Sequence, residues 1–115
     1  QVQAVTFITC AAPNAGAIPA SSPELTAQLP EIFLRRCRNI LAVAAYNNYR
    51  SIVLGAWGCG VFRNDPVLVA ASFKKLLIDE KWAECFARIR FAVCDTSANH
   101  SVISAFNCLQ FESGA

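Results

Sequence analysis

Apolar and polar positions alternate along this chain in two different rhythms, and the rhythm changes five times. Val5-Thr6-Phe7-Ile8-Thr9 is rich in β-branched and aromatic residues and predicts a strand. Residues 31–47 place Phe33, Cys37, Ile40, Leu41 and Ala44 on one helical face. Residues 51–56 are almost continuously apolar, the pattern of a strand covered on both sides. Residues 66–80 return to helical spacing with Val69, Phe73, Leu76 and Leu77. Residues 89–94 predict a third strand. Residues 102–111 predict a closing helix with Val102, Ala105, Phe106 and Leu109 inward. Residues 10–30 fit neither rhythm and hold four of the five prolines, a connection long enough to be functional or to lie over the surface.

Strand, helix, strand, helix, strand, helix implies parallel strands joined by right-handed helical crossovers. The expected fold class is α/β, three-layered, as a single domain over residues 1–115. Three strands make a small sheet with an unpaired apolar edge, so the domain is expected to be incomplete.

Composition narrows the function classes. Of 115 residues, 55% are hydrophobic and 16% charged, too apolar for a disordered chain and sufficient for a core. No apolar run reaches the roughly 18 residues of a membrane span. A net charge of +2 gives no electrostatic case for nucleic acid or a membrane surface. Six cysteines, no Cys-x-x-Cys pair and one histidine argue against a zinc site. Cysteines within apolar runs, such as Cys94, read as small buried hydrophobes. Reduced thiols and an intracellular home, cytoplasmic or nuclear, are expected; a disulfide framework is the alternative.

The densest chemistry lies in Gly55-Ala56-Trp57-Gly58-Cys59-Gly60-Val61-Phe62-Arg63-Asn64-Asp65-Pro66, between the second strand and second helix. Glycines at 55, 58 and 60 are expected to turn through φ > 0 and leave backbone N–H groups uncovered. Asp65 is suited to cap a helix and Pro66 to begin it. A glycine-rich loop ending at a helix N-terminus can bind phosphate. An ordinary tight βα turn is the plain alternative.

Gly58-Cys59-Gly60-Val61-Phe62, with its flanks, resembles the second substrate loop of macrodomains, in particular the microbial-type poly(ADP-ribose) glycohydrolases. Val5-Thr6-Phe7-Ile8-Thr9-Cys10-Ala11-Ala12-Pro13-Asn14 resembles that branch's strand with its Ala-Ala-Pro-Asn exit. Residues 35–49, with Arg38, Ile40, Leu41, Ala44 and Asn47, resemble the helix before the loop strand. Phe91-Ala92-Val93-Cys94-Asp95 resembles the last core strand, and Ser104-Ala105-Phe106-Asn107 the closing helix. The resemblance implies ADP-ribose or poly(ADP-ribose) as ligand, no cofactor and no metal. It covers only the C-terminal part of the family's domain. The family's catalytic signature, a glycine triplet followed by Gln-Glu-Glu, occurs nowhere in the chain. It belongs upstream of the stretch matched by residues 5–9, so a missing N-terminal part of the domain is an expected partner.

The same resemblance sets Gly58, Cys59, Gly60, Val61, Phe62 and Arg63 along the substrate, with Phe62 over the distal ribose or else anchoring the loop. Arg63 stands where many macrodomains carry glycine, and either contacts phosphate or points to solvent. Asn14 faces the crevice or caps a turn. Asp95 ends the last strand on the ligand side. Phe106, or secondarily His100, is the candidate to stack on adenine; a core role is the alternative for Phe106. Trp57 is expected to pack rather than bind, and Cys59 has no neighbouring base to make it a nucleophile. Neither Glu24 with Glu31 nor Asp79 with Glu80 belongs to an acid–base motif, so no residue is assigned a catalytic role. The expected function is the diphosphate-binding part of a poly(ADP-ribose) glycohydrolase-type macrodomain. The alternatives are a non-catalytic ADP-ribose or nucleotide binder and a structural remnant that needs a partner segment.

Overall fold

A computed structural model describes residues 3–110. After a single 3-10 turn at Ala15–Ala17 come α1 (Pro23–Ala27) and α2 (Leu29–Tyr46). Strand β1 (Ser51–Gly55) leads to α3 (Pro66–Lys74), which a π-helical turn continues through Lys75–Asp79. A 3-10 turn at Trp82–Cys85 precedes β2 (Arg88–Ala92). Helix α4 (Ser101–Phe106) and a 3-10 turn, Asn107–Leu109, complete the described residues. The expected end of that helix, Phe111, lies outside the described residues.

The strands β1 and β2 are parallel, in register from Ser51↔Arg88 to Gly55↔Ala92. Helix α3 is the crossover between them, so the α/β reading of the alternating rhythm holds. Ile52 and Leu54 are buried beneath α2 and α3, together with Phe33, Cys37, Leu41, Val69, Phe73, Leu76 and Leu77. Aromatic edges fasten the far side: Phe73 to Phe91 at 5.5 Å and Phe91 to Phe106 at 5.7 Å between ring centroids.

Helix α2 stops because Asn48 turns left-handed at φ 64°. The Tyr49 N–H then bonds the Ala44 carbonyl at 3.1 Å and the Asn48 N–H bonds the Ala45 carbonyl at 3.0 Å. This is a Schellman closure with asparagine in the usual glycine place. The Arg38 guanidinium makes a two-point pair with Glu80, Nε to Oε1 at 3.0 Å and Nη2 to Oε2 at 2.7 Å, tying α2 to the end of the π-helical turn.

Two expectations change. Residues 5–9 do not form a strand: among the described residues the sheet has two strands only. An extended segment becomes a strand only by exchanging N–H and C=O bonds with a neighbour. This one has none, and Phe7 is 83% exposed. It is held instead by its side chains and its exit, through Thr6 Oγ1 to Tyr49 Oη at 2.7 Å and Arg36 Nη1 to the Ala11 carbonyl at 3.2 Å. Strand β1 is also not covered on both sides. Val53, 68% exposed, shares an open face with Arg88 and Arg90. Among the described residues no helix is long and apolar enough to cross a membrane.

Candidate functional site

Gly55 ends β1, and the chain then folds on itself before α3. Trp57 N–H bonds the Gly55 carbonyl at 2.9 Å and Cys59 N–H the Ala56 carbonyl at 3.1 Å. Arg63 N–H bonds the Gly60 carbonyl at 2.9 Å and Asn64 N–H the Gly58 carbonyl at 3.1 Å. Among the described residues the N–H groups of Gly58, Gly60, Val61 and Phe62 have no acceptor. Asp65 then caps α3, its Oδ1 accepting from the Val67 N–H at 2.9 Å, with Pro66 opening the helix.

The glycines differ in what they do. Only Gly58 uses φ > 0, at 76°. A Cβ there would lie 2.6 Å from Asn64 Nδ2 and 2.7 Å from the Ala12 Cβ. Gly60 is not left-handed, and a Cβ on it would meet nothing within 4 Å. Gly55 is an extended strand residue whose Cβ would lie 3.1 Å from the Ala92 carbonyl oxygen. The expectation of φ > 0 at all three positions is thus corrected to one. The second left-handed residue of the loop is Arg63, at φ 56°. Arginine pays a steric penalty there that glycine would not.

A second wall faces this loop. Ala12 and Pro13 are buried, and the Gly16 N–H bonds the Phe62 carbonyl at 2.9 Å. Between the walls lies a crevice of about 450 Å³ lined by Cys10, Ala11, Ala12, Trp57, Gly58, Gly60, Val61 and Phe62. It opens at the carboxyl end of β1, where open α/β sheets place their ligands.

Of the residues singled out by sequence, Gly58, Gly60, Val61 and Phe62 meet in this crevice. Val61 is 92% exposed and Phe62 half-buried. The Cys59 thiol is half-buried and faces its own loop, 3.9 Å from the Trp57 carbonyl. Burial first, and the Asp65 charge second, push it up to about 11, which keeps it protonated. Trp57 packs edge-on to Phe33 at 5.9 Å. The Arg63 side chain is exposed and runs beside Gly16, and Asn14 is exposed at the head of the 3-10 turn.

Asp95 and Phe106 lie apart from the crevice. Asp95 Oδ2 accepts from the Val102 and Ile103 N–H groups at 2.9 and 3.1 Å, and its Oδ1 accepts from the Ser97 hydroxyl and N–H. The Ser97 hydroxyl foremost, then the backbone donors, hold this carboxyl down at about 2. It therefore caps α4 from a distance. Phe106 is in the core and borders a separate cavity of about 380 Å³ with Ile89, Phe91, Val93, Ile103, Asn107 and Gln110. His100, at φ 50°, precedes α4.

Sequence reading passed over Asn64. It is 3% exposed, and its Nδ2 donates to the Pro13 carbonyl at 2.6 Å and the Gly58 carbonyl at 2.9 Å. Its only sequence signal is its place between a glycine loop and an Asp-Pro helix start. Four of the six cysteines, Cys10, Cys85, Cys94 and Cys108, are exposed, against the expectation of mostly buried sulfurs. All six are free thiols, and the described residues contain no cluster of metal-ligating side chains.

No family model matches the chain, and no curated protein does. Solved structures do. The poly(ADP-ribose) glycohydrolase of Deinococcus radiodurans, in complex with ADP-ribose, superposes with a TM-score of 0.78 at 44% identity over 84% of this chain. The Thermomonospora curvata glycohydrolase does so with a TM-score of 0.77 at 40% identity over the same share. Over that share the chain matches the microbial-type poly(ADP-ribose) glycohydrolase catalytic domain. It spans 39% of the Deinococcus glycohydrolase and 35% of the Thermomonospora one. The apo form of the Deinococcus glycohydrolase matches at a TM-score of 0.71 and 45% identity. The macrodomain-like α/β fold implied by the glycine loop and its flanks is therefore that of the glycohydrolases.

Proposed function

We propose that this chain supplies the diphosphate-binding loop of an ADP-ribose-recognising macrodomain of the poly(ADP-ribose) glycohydrolase type. The carrying observation is the set of N–H groups at Gly58, Gly60, Val61 and Phe62 that have no acceptor among the described residues and border a crevice open at Gly60. A diphosphate needs several such donors with no side chain in the way. ADP-ribose in the Deinococcus relative's crystals supports that ligand class. Phe62, half-buried at the rim, is suited to pack on a ribose, and the exposed Arg63 to add charge near phosphate.

Binding without hydrolysis is the reading for the chain alone. Glycosidic cleavage needs a carboxyl placed at the leaving oxygen, and no acidic residue lines the crevice. Val53 on its open sheet face and Phe7 on an unpaired segment favour an additional segment of the same domain as partner. Free thiols fit an intracellular setting, cytoplasmic or nuclear.

Titration calorimetry with ADP-ribose tests the reading. Wild type is expected to bind. Gly60→Val, whose side chain would fill the empty approach to the donors, is expected to abolish binding while circular dichroism and melting stay unchanged. A folded Gly60→Val that binds as wild type does returns the loop to an ordinary βα turn.

A further inference from the structure

Among the described residues Asn64 is the most deeply buried polar side chain, yet it is not among the residues lining the crevice. Its amide lies behind Gly58. One Nδ2 serves two carbonyls, Pro13 on one wall of the crevice and Gly58 on the other, at 2.6 and 2.9 Å. Its own N–H donates a second bond to the Gly58 carbonyl, at 3.1 Å. The fit is close: any side-chain carbon on Gly58 would meet Nδ2 at 2.6 Å. Oδ1 is buried with no partner, a cost that an apolar residue of similar size would avoid. What the position requires is therefore a donor of short reach between two acceptors. Aspartate has the shape without the donor, and glutamine is one carbon longer.

We propose that Asn64 is a positioning residue of the nucleotide crevice: its amide sets the spacing of the two walls and so aims the N–H groups of residues 58–62. This rests on the diphosphate reading for its consequence, though the wall-to-wall link can be tested without ligand. Asn64→Asp alters one atom and turns the donor into an acceptor. Ionised, the carboxylate would face two carbonyl oxygens and push the walls apart. Burial and those oxygens raise the pKa of such a group, so acid protonates it, and its O–H regains one of the two bonds.

Two measurements decide the matter. Calorimetry with ADP-ribose compares Asn64→Asp with wild type at about pH 8 and about pH 5.5. Taking the ratio at each pH removes the contributions of Cys10, Cys59, Arg63 and Asp65, the ionisable neighbours on the two walls. Hydrogen exchange follows the Gly16 N–H, bonded across the crevice to Phe62, in ligand-free wild type and Asn64→Ala. At the higher pH Asn64→Asp is expected to bind roughly ten-fold more weakly, with recovery in acid. Gly16 is expected to exchange faster in Asn64→Ala. Equal binding by Asn64→Asp and wild type at both pH values overturns the proposal, as does a loss that acid leaves unchanged. Should Asn64→Asp fail to fold, Asn64→Ala decides: unchanged Gly16 protection overturns the proposal and faster exchange supports it. Wild type that does not bind ADP-ribose sinks the ligand reading, and the wall link is then judged on Gly16 exchange alone.

Discussion

Gly58→Ala separates a glycine needed for folding from one needed for access. At φ 76° an alanine costs about 1–2 kcal/mol relative to right-handed backbone. Its Cβ would also press on Asn64 Nδ2 at 2.6 Å and on Ala12 at 2.7 Å. Neither is the free end of a long side chain: Asn64 is pinned by two carbonyls and Ala12 is held by its own backbone. Overpacking of this kind adds about 1–3 kcal/mol. The stiffer unfolded chain offsets roughly 0.4–1 kcal/mol. The net expectation is a loss of about 1–5 kcal/mol, centred near 3. Gly60→Ala, with open space around its Cβ and no left-handed backbone, should stay within about 0.5 kcal/mol of wild type. Urea denaturation followed by tryptophan fluorescence measures both, since Trp57 is in the loop. Equal stabilities for the two alanine variants would refute the distinction between the glycines, and with it the Asn64–Ala12 packing on which it rests.

Other outcomes follow from the same geometry. Because folding lowers the Asp95 pKa to about 2 from an ordinary 3.8, its contribution is complete above the ordinary value and fades as pH falls between them. Asp95→Asn should thus be less stable than wild type at neutral pH, by a margin that closes in strong acid; a margin independent of pH would exclude the α4 cap. Thiol labelling of the native protein should modify Cys10, Cys85, Cys94 and Cys108 quickly and Cys37 slowest, since burial pushes its thiol up to about 12, with all six reacting in denaturant. Fast native labelling of Cys37 would contradict its place in the core. The isolated chain should release no ADP-ribose from the polymer, and measurable turnover would place the missing acid among the residues already present.

The two long helices were legible because burial repeats along them. Phe33, Cys37, Leu41 and Ala44 lie on the inner face of α2, and Val69, Phe73, Leu76 and Leu77 on that of α3 and its π-helical continuation. The helix start at Asp65-Pro66 was legible because capping is local chemistry. Pairing is not local, so Val5-Thr6-Phe7-Ile8-Thr9 has strand composition without a strand's hydrogen bonds, and Val53 has an interior residue's chemistry on an open face. Asn64 was illegible for the same reason: Pro13, one of its two acceptors, comes from a distant stretch of chain. The loop residues were legible mainly through likeness to glycohydrolases. Likeness located Gly58 and Gly60 together but did not distinguish a glycine forced by backbone from one set beside open space.

The crossover between β1 and β2 also orders events in time. Ser51 cannot meet Arg88 until α3 and the two turns after it have drawn the chain back. Parallel pairing thus waits on a large loop closure, and the contact order of this small sheet is high for its size. The glycine loop is anchored to that slow step at both ends, by Gly55 in the ladder and Asp65 at the head of α3. The loop is therefore expected to take its final shape only as the strands pair.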